Sequence, residues 1–362
     1  MMRYSFNFRV LFICAIFVSS VSHALQLQTL YGDYEVVEPV IQELLVTSAV
    51  QRLHHIQQYG VEHYVRKKML PYSRYEHSVG VMVLLKRFGA SVQEQVAGLL
   101  HDVSHTVFSH VGDHVMALQH AKEFDQNDEA YQDNVHTWYL AQTDVKGVLD
   151  TYGIAVKSMD PKCGQYQMLE QELPDICADR LEYNLYGGYI EGLVAEDEVR
   201  AIIASLEYRQ KRWFFDDLHQ AKKFAEISLW LTEHRFASLW NFVTYDLAAK
   251  ALVRAVDLGL LTMHDIHFSV DEDAWNLLCN ASDEIIQKNM RSLVRYKDAY
   301  EEVGKGEKYD ASFVGKFRGV DPWVQVGDTF KRLSDMDDLF RTECERAKAA
   351  VTKPRYIRYT KS

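Results

Sequence analysis

The chain is poor in residues that break helices. It has 18 glycines and 6 prolines in 362 residues, and this scarcity favours helical structure throughout. Cysteine is scarce as well. The 5 cysteines form no Cys-x-x-Cys pair, so a zinc ribbon or a thioredoxin-like site is not expected. Positive charge is in deficit, with a net charge of −11, and the surface as a whole will not attract nucleic acid. A negative chain still binds phosphates where a metal and a few cations are concentrated at one site. Beyond the N-terminus there is no long apolar run, which excludes a stable membrane span. Internal repeats and low-complexity tracts are absent. What remains is ordinary for a globular protein: 48% hydrophobic and 25% charged residues, enough for one large core or two lobes.

The first residues stand apart. Met1 to Arg9 carries two arginines and no acid, Val10 to Val21 is apolar, and Ser22-His23-Ala24 places small residues before a cleavage point. The apolar stretch is too short to span a bilayer, which takes roughly 20 residues. This is the layout of a secretory signal peptide over residues 1–24, cleaved after Ala24, and it predicts a secreted or periplasmic protein. Cys14 would leave with it. Export would permit a disulfide, with Cys163 and Cys177 the nearest pair; four isolated thiols are the alternative.

Helical periodicity dominates the rest. Glu38 to Gln58 reads as a helix, followed by a basic loop from Val61 to Tyr72. Tyr75 to Arg87 is periodic and stops at Gly89. Ser91 with Glu94 has the capping-box pattern and opens a helix that carries His101 and Asp102 at its far end. His105 to His110 is a break. Helices resume over Val111–Leu118, Asp133–Gln142 and Thr143–Tyr152, with a loop at Lys122–Ala130 between them. Pro174 is read as the first turn of a helix that runs to Gly187-Gly188. Further helices are expected from Glu196 to Leu261, then charged helices at Asp283–Tyr300 and Phe330–Thr352. A boundary near residue 260 would separate a domain over 25–260 from a helical extension over 261–362. The aromatics Trp213, Phe214, Phe215, Trp230, Phe236 and Trp240 read as core packing at helical spacing. Arg66-Lys67-Lys68 reads as a solvated loop, and His54, His55, His264 and His267 as surface or core residues.

Histidine is concentrated in one stretch. His101, His105, His110 and His114 fall within fourteen residues, together with Asp102 and Asp113, while His77 and His136 lie on flanking helices. A lone helical histidine is more often a hydrogen-bonded core residue than a ligand. Here an imidazole and a carboxylate sit side by side at the end of an apolar helix, where burying them unpaired would cost several kcal/mol. A metal removes that cost, and these donors suit Mn, Fe, Zn or Ni.

Three segments carry a resemblance: Arg74-Tyr75-Glu76-His77-Ser78; then His101-Asp102-Val103-Ser104-His105 through Phe108-Ser109-His110 to Asp113; then Asp179-Arg180-Leu181-Glu182-Tyr183. In that order they resemble the HD-domain phosphohydrolases, most closely the branch of the SAM-and-HD-domain deoxynucleoside triphosphate triphosphohydrolase. The resemblance covers roughly residues 50 to 255. It implies an all-α HD fold, a phosphoester substrate that is a nucleotide, and a homo-oligomer. It implies His77, His101, Asp102 and Asp179 as metal ligands, with Mg as an additional ion. Asp175 competes for the last place, but the family's aspartate is followed four residues later by tyrosine, and Tyr183 selects Asp179. Arg74 matches a phosphate-contacting arginine. His105 and His110 match histidines facing the phosphates, with Asp113 orienting His110, and His136 matches a further catalytic histidine. Tyr183 and Gln58 match nucleotide and sugar contacts. The chain departs from the family in having Thr137 after His136 where glutamate is usual, Gly187 where an aspartate is usual, and no SAM domain. The alternatives within this resemblance are a nucleotide monophosphatase, a cyclic-nucleotide phosphodiesterase with two metals, and an inactive HD scaffold. A protein acting by contact, with the metal as a structural staple, is a further alternative.

Overall fold

The computed structural model describes residues 24–66, 70–119 and 131–360. The expected signal segment and the Lys122–Ala130 loop fall outside the described residues, apart from Ala24. The architecture is mainly helical, with nine short strands in three small sheets among the described residues. No helix of the described residues is long and apolar enough to cross a membrane.

The helices that matter for function are α1 (Arg74–Arg87), α2 (Val92–Leu100), α3 (Val111–Gln119), α4 (Tyr131–Ala141), α5 (Ala178–Ile190), α6 (Leu218–Leu231) and α7 (Leu239–Asp257). Helix α1 starts one residue earlier than its periodicity suggests because Ser73 caps it. The Ser73 hydroxyl accepts from the Tyr75 and Glu76 amides, and the Glu76 carboxylate accepts from the Ser73 amide at 2.8 Å. This fixes Arg74 and His77 in the first turn. Helix α2 is capped by Ser91 alone. Glu94 does not return to the cap; its carboxylate accepts from the amides of Met168 and Leu169 and ties that loop to the helix.

The segment expected as one helix over Glu38–Gln58 is two, Pro39–Leu45 and Ser48–Arg52, followed by a 3-10 turn. Thr47 bends its hydroxyl back to the Leu44 carbonyl at 2.6 Å, and the distant Asp144 carboxylate caps the second piece through Ser48 and Ala49. Pro174 does not open a helix. It lies in the turn before α5, and its carbonyl accepts from the Asp321 amide. Nor do the paired glycines end α5. A Cβ on Gly188 would meet Ile227 at 2.7 Å, so glycine lets α5 lie close against α6.

The strands interrupt the expected run of helices. A hairpin of β1 (Leu25–Thr29) and β2 (Gly32–Val36) precedes the first helix. Strands β3 (Leu206–Arg209) and β4 (Arg212–Phe215) turn at Gln210 and Lys211, both in the left-handed region. The aromatics at 213–215 are therefore core residues of a strand, not of a helix. Strands β5 (Tyr300–Val303), β6 (Ala311–Phe313) and β9 (Arg355–Tyr359) form one sheet. Strands β7 (Trp323–Val326) and β8 (Thr329–Arg332) join β3 and β4 in another, with β4 and β7 parallel. The charged helices are α8 (Glu284–Val294) and α9 (Asp338–Val351).

Residues from both sides of position 260 share the cores. One apolar cluster joins α1, α2, α5 and α6 with Val320, Val324, Leu333 and Phe340. The other joins Val107, Phe108, Val111 and Val115 with α7, Ile286, Met290, Leu293 and Ile357. The four described cysteines are free thiols.

Candidate active site

Four donors converge where the start of α1, the end of α2 and the start of α5 meet. His77 Nε2 lies 3.1 Å from His101 Nε2, 3.0 Å from Asp179 Oδ1 and 3.4 Å from Asp102 Oδ2. His101 Nε2 lies 3.5 Å from both Asp102 Oδ1 and Asp179 Oδ1. Adjacent ligands around an ion with bonds of about 2.0–2.2 Å stand roughly 3–3.5 Å apart, so these are the spacings of a coordination shell. His77, His101 and Asp179 form the tightest group, with Asp102 beside it.

The tautomers agree with this reading. His101 Nδ1 donates to the Gly98 carbonyl at 2.7 Å, and His77 Nδ1 donates to the Glu182 carboxylate. Each ring thus turns a bare Nε2 lone pair toward the other and toward two carboxylates. Four acceptors facing one another require a cation among them, and two imidazoles with two carboxylates fit a divalent transition metal. Without one, protons take its place. Burial opposes charge on His77, yet Glu182, Asp179 and Asp102 outweigh it and raise its pKa to about 10. His101 rises for the same reason: burial opposes, and Asp102 and Asp179 prevail. Asp102 is held well below the usual carboxylate range, against burial, by Arg74, His101 and His105.

Glu182 is the functional residue that motif reading missed. It is fully buried, one turn after Asp179 on α5. Its carboxylate accepts from His77, from Tyr72 and from Tyr31 of the β1–β2 turn, the last at 3.0 Å. Room for it comes from Gly80, where a Cβ would meet Glu182 Oε1 at 2.6 Å. The sequence carried a signal: Glu182 is three residues from Asp179 on one helical face, as Gly80 is from His77.

A cleft of about 360 Å³ opens over the donors. Arg74, His77, His101, Asp102, His105, His110, Asp179, Tyr183 and Gln58 all line it. Arg74 is buried and held from two sides, with its guanidinium on Asp102 and on the Ser109 hydroxyl. His105 Nε2 lies 3.2 Å from Asp102 Oδ1; burial and then Arg74 keep its pKa well below the ordinary value, so it is neutral. His110 Nδ1 lies 3.0 Å from Asp113 Oδ2, and the other Asp113 oxygen accepts from the Tyr131 amide at 2.9 Å. The Tyr183 ring stands edge-on to Phe236.

Two expected residues sit elsewhere. His136 does not line the cleft. It is fully buried behind the wall with Nδ1 on the Ser104 hydroxyl, and burial lowers its pKa to about 4. Asp175 leaves the contest for the fourth donor, because its carboxylate binds Arg332 at 2.6 Å and the Trp323 indole. Gly187 has a local reason: a Cβ there would meet the Tyr59 hydroxyl at 2.6 Å, so Tyr59 fills the space an aspartate would take. His114 packs against Phe242 and Tyr245, and His267 bonds Tyr131. Arg66 pairs with Glu191 and lies over Trp240; Lys67 and Lys68 are outside the described residues.

The loop at 105–110 is shaped by strain. Phe108 and Ser109 both adopt positive φ, 57° and 61°, a conformation that costs of order 1–3 kcal/mol each. The fully buried Asp271 holds it, accepting from the Phe108 amide at 2.6 Å and from the Gln57 amide at 2.8 Å. This arrangement sets Ser109 against Arg74.

The model of the HD domain matches residues 74–160. The chain therefore carries an HD domain over these residues. The HD match ends before Asp179, which α5 brings back to the other donors. The chain is 29% identical over 332 residues to the uncharacterized protein YdhJ of Bacillus subtilis, covering 92% of this chain and 98% of that protein. It is 28% identical over 302 residues to the metal-dependent phosphohydrolase cns2 of Cordyceps militaris, covering 82% and 83%. Among solved structures, a phosphohydrolase from Bacteroides thetaiotaomicron aligns with a TM-score of 0.66 at 14% identity, over 94% of this chain and all of that one. A hypothetical protein from Aquifex aeolicus aligns with a TM-score of 0.63 at 16% identity, over 90% and 99%. These last two establish the fold.

Proposed function

We propose that this HD protein hydrolyses nucleotides, with a deoxynucleoside triphosphate as the leading substrate. The observation that carries the reading is the furniture of the cleft around the four donors: a guanidinium, a neutral histidine and a histidine–carboxylate pair, next to an aromatic wall. Bound at His77, His101, Asp102 and Asp179, a metal such as Mn, Fe, Zn or Ni supplies Lewis-acid charge for a phosphate oxygen and lowers the pKa of a water. Arg74 offers its planar fork to phosphate oxygens and stabilises charge on them. His110, aimed by Asp113, protonates the departing oxygen. Tyr183 with Phe236 provides a face for the base or sugar. The Gln58 amide oxygen is buried without a partner among the described residues, and an incoming hydroxyl would satisfy it.

A second reading, a cyclic-nucleotide phosphodiesterase with two metals, is favoured by one feature. Asp102 turns one oxygen toward His77 and the other toward His105, as a bridging carboxylate would. Metal stoichiometry separates the two: one ion per chain with release of triphosphate from dGTP supports the first reading, and two ions with cleavage of cAMP the second. Export of the chain and assembly into a homo-oligomer belong to this proposal as well, tested by the N-terminus of the protein recovered from cells and by its mass in solution.

A further inference from the structure

The cleft is not lined by the HD core alone. Lys316 and Arg318 reach it from the far end of the chain, in the irregular stretch between β6 and β7. Its backbone is pinned at both ends. Gly315 donates to the Val351 carbonyl, and a Cβ there would meet Ala237 at 2.8 Å and the Val351 carbonyl oxygen at 2.9 Å. Val320 is buried, and the Asp321 amide donates to the Pro174 carbonyl at 3.1 Å. Lys316 and Arg318 are two apart, and both line the cleft.

Lys316 adds charge to a cleft in which three arginines already lie on carboxylates. Arg74 is on Asp102, Arg180 on Glu170 at 2.8 Å, and Arg235 on Glu62 at 3.0 Å. Lys316 has no ion pair among the described residues and is exposed at the mouth. Arg318 lies near Tyr183, whose pKa burial raises while Arg318 opposes the rise. Tyr183 is four residues, about one helical turn, beyond Asp179. Arg318 therefore stands about one helical turn from the donors, with Lys316 lining the same cleft, in a protein whose net charge is −11.

Resting on the reading of this site as a phosphohydrolase, we infer that Lys316 and Arg318 bind a second anionic group of the substrate, a phosphate other than the one at the metal. The site then selects nucleoside polyphosphates over monophosphates. Selection resides in the C-terminal region, outside the part of the chain that carries the HD signature.

The test compares dGTP with dGMP on the full chain and on Lys316→Gln with Arg318→Gln. The expected result is that the ratio of kcat/KM for dGTP over dGMP falls about tenfold in the double variant, mostly through KM. An unchanged ratio overturns the inference. A second measurement needs no turnover. Inorganic tripolyphosphate, titrated calorimetrically into both proteins, is expected to bind about tenfold more weakly to the double variant; equal affinity overturns the inference. If neither nucleotide is hydrolysed by the unaltered protein while the tripolyphosphate difference is found, the hydrolase reading fails and the anion site stands.

Discussion

The two ends of the chain build the same cleft by different means. Around the metal donors, chemistry dictates residue type and helix geometry dictates spacing. An imidazole at 77, the pair at 101 and 102 and a carboxylate at 179 each occupy a helix terminus, where one position more would point the donor away. The C-terminal region has no such constraint. Asp271 acts through a carboxylate on two backbone amides, and Lys316 and Arg318 act through charge from an irregular segment. Many sequences would do either job, so nothing in their spacing announces them. Sites built on helices are written in the sequence at fixed intervals, whereas supports built on loops are visible only once the chain has folded.

The most drastic way to break the comparison is to remove one side of it. Truncation after residue 260 strips Ile286, Met290, Leu293 and Ile357 from one core and Phe340 and Leu333 from the other. Each such buried side chain contributes about 1.5–3 kcal/mol, and together they exceed the marginal stability of a domain. The truncated chain is expected to be insoluble or to lack a cooperative thermal transition by circular dichroism. A soluble, cooperatively folding 25–260 fragment would show instead that the extension is a separate unit.

Single residues sharpen it. Glu182→Gln keeps the shape but removes the negative charge and replaces one of the two acceptor oxygens with an NH2 donor, which weakens the hold on the His77 ring. Outer-shell partners of this kind are worth about 10–100-fold in metal affinity, and a chelator competition should show a loss in that range. Asp271→Ala leaves the Phe108 and Gln57 amides without an acceptor, at roughly 1–3 kcal/mol each. Urea unfolding should report a drop of that size, with metal content little changed, because the loop and not the donors is loosened.

The smallest effect is on acid stability. Burial lowers the pKa of both His136 and His267 to about 4, against about 6.5 when unfolded. Between these values the unfolded chain binds the extra protons, so stability is full above about pH 6.5 and declines as the pH falls toward 4. The midpoint of thermal unfolding should fall between pH 7 and pH 5, and His267→Gln should flatten part of that slope. A midpoint independent of pH over this range would mean that neither ring is held neutral.

How much was legible follows the same division. The capping of α2 by Ser91, the glycine stop at Gly89 and the helix ending at His101-Asp102 follow from local pattern, because neighbours within one turn decide them. The break at Thr47 was hidden, since the group that caps the second piece, Asp144, lies 96 residues away. The same holds for Gly188, whose role is set by Ile227 on another helix. Pro174 misled because proline suits a helical first turn and a tight turn equally well, and only the contact with Asp321 decides between them. His136 was assigned by analogy to the cleft, yet the Ser104 hydroxyl and the packing of α4 hold it behind the wall. The strands at 206–215 and 323–332 escaped because four-residue strands carry too short an alternation to stand out from a helical background.

The central claim is that His77, His101, Asp102 and Asp179 hold a metal that this protein uses to hydrolyse phosphoesters. It is tested most directly on the chain from Leu25 onward, purified without chelator, by elemental analysis followed by assay of dGTP, a deoxynucleoside monophosphate, cAMP and bis-p-nitrophenyl phosphate with Mn, Fe and Mg. The account predicts bound metal and hydrolysis of at least one of these, with both lost together in His101→Ala with Asp102→Ala. A protein that binds no metal and cleaves nothing, or a double variant that keeps its activity, would contradict it.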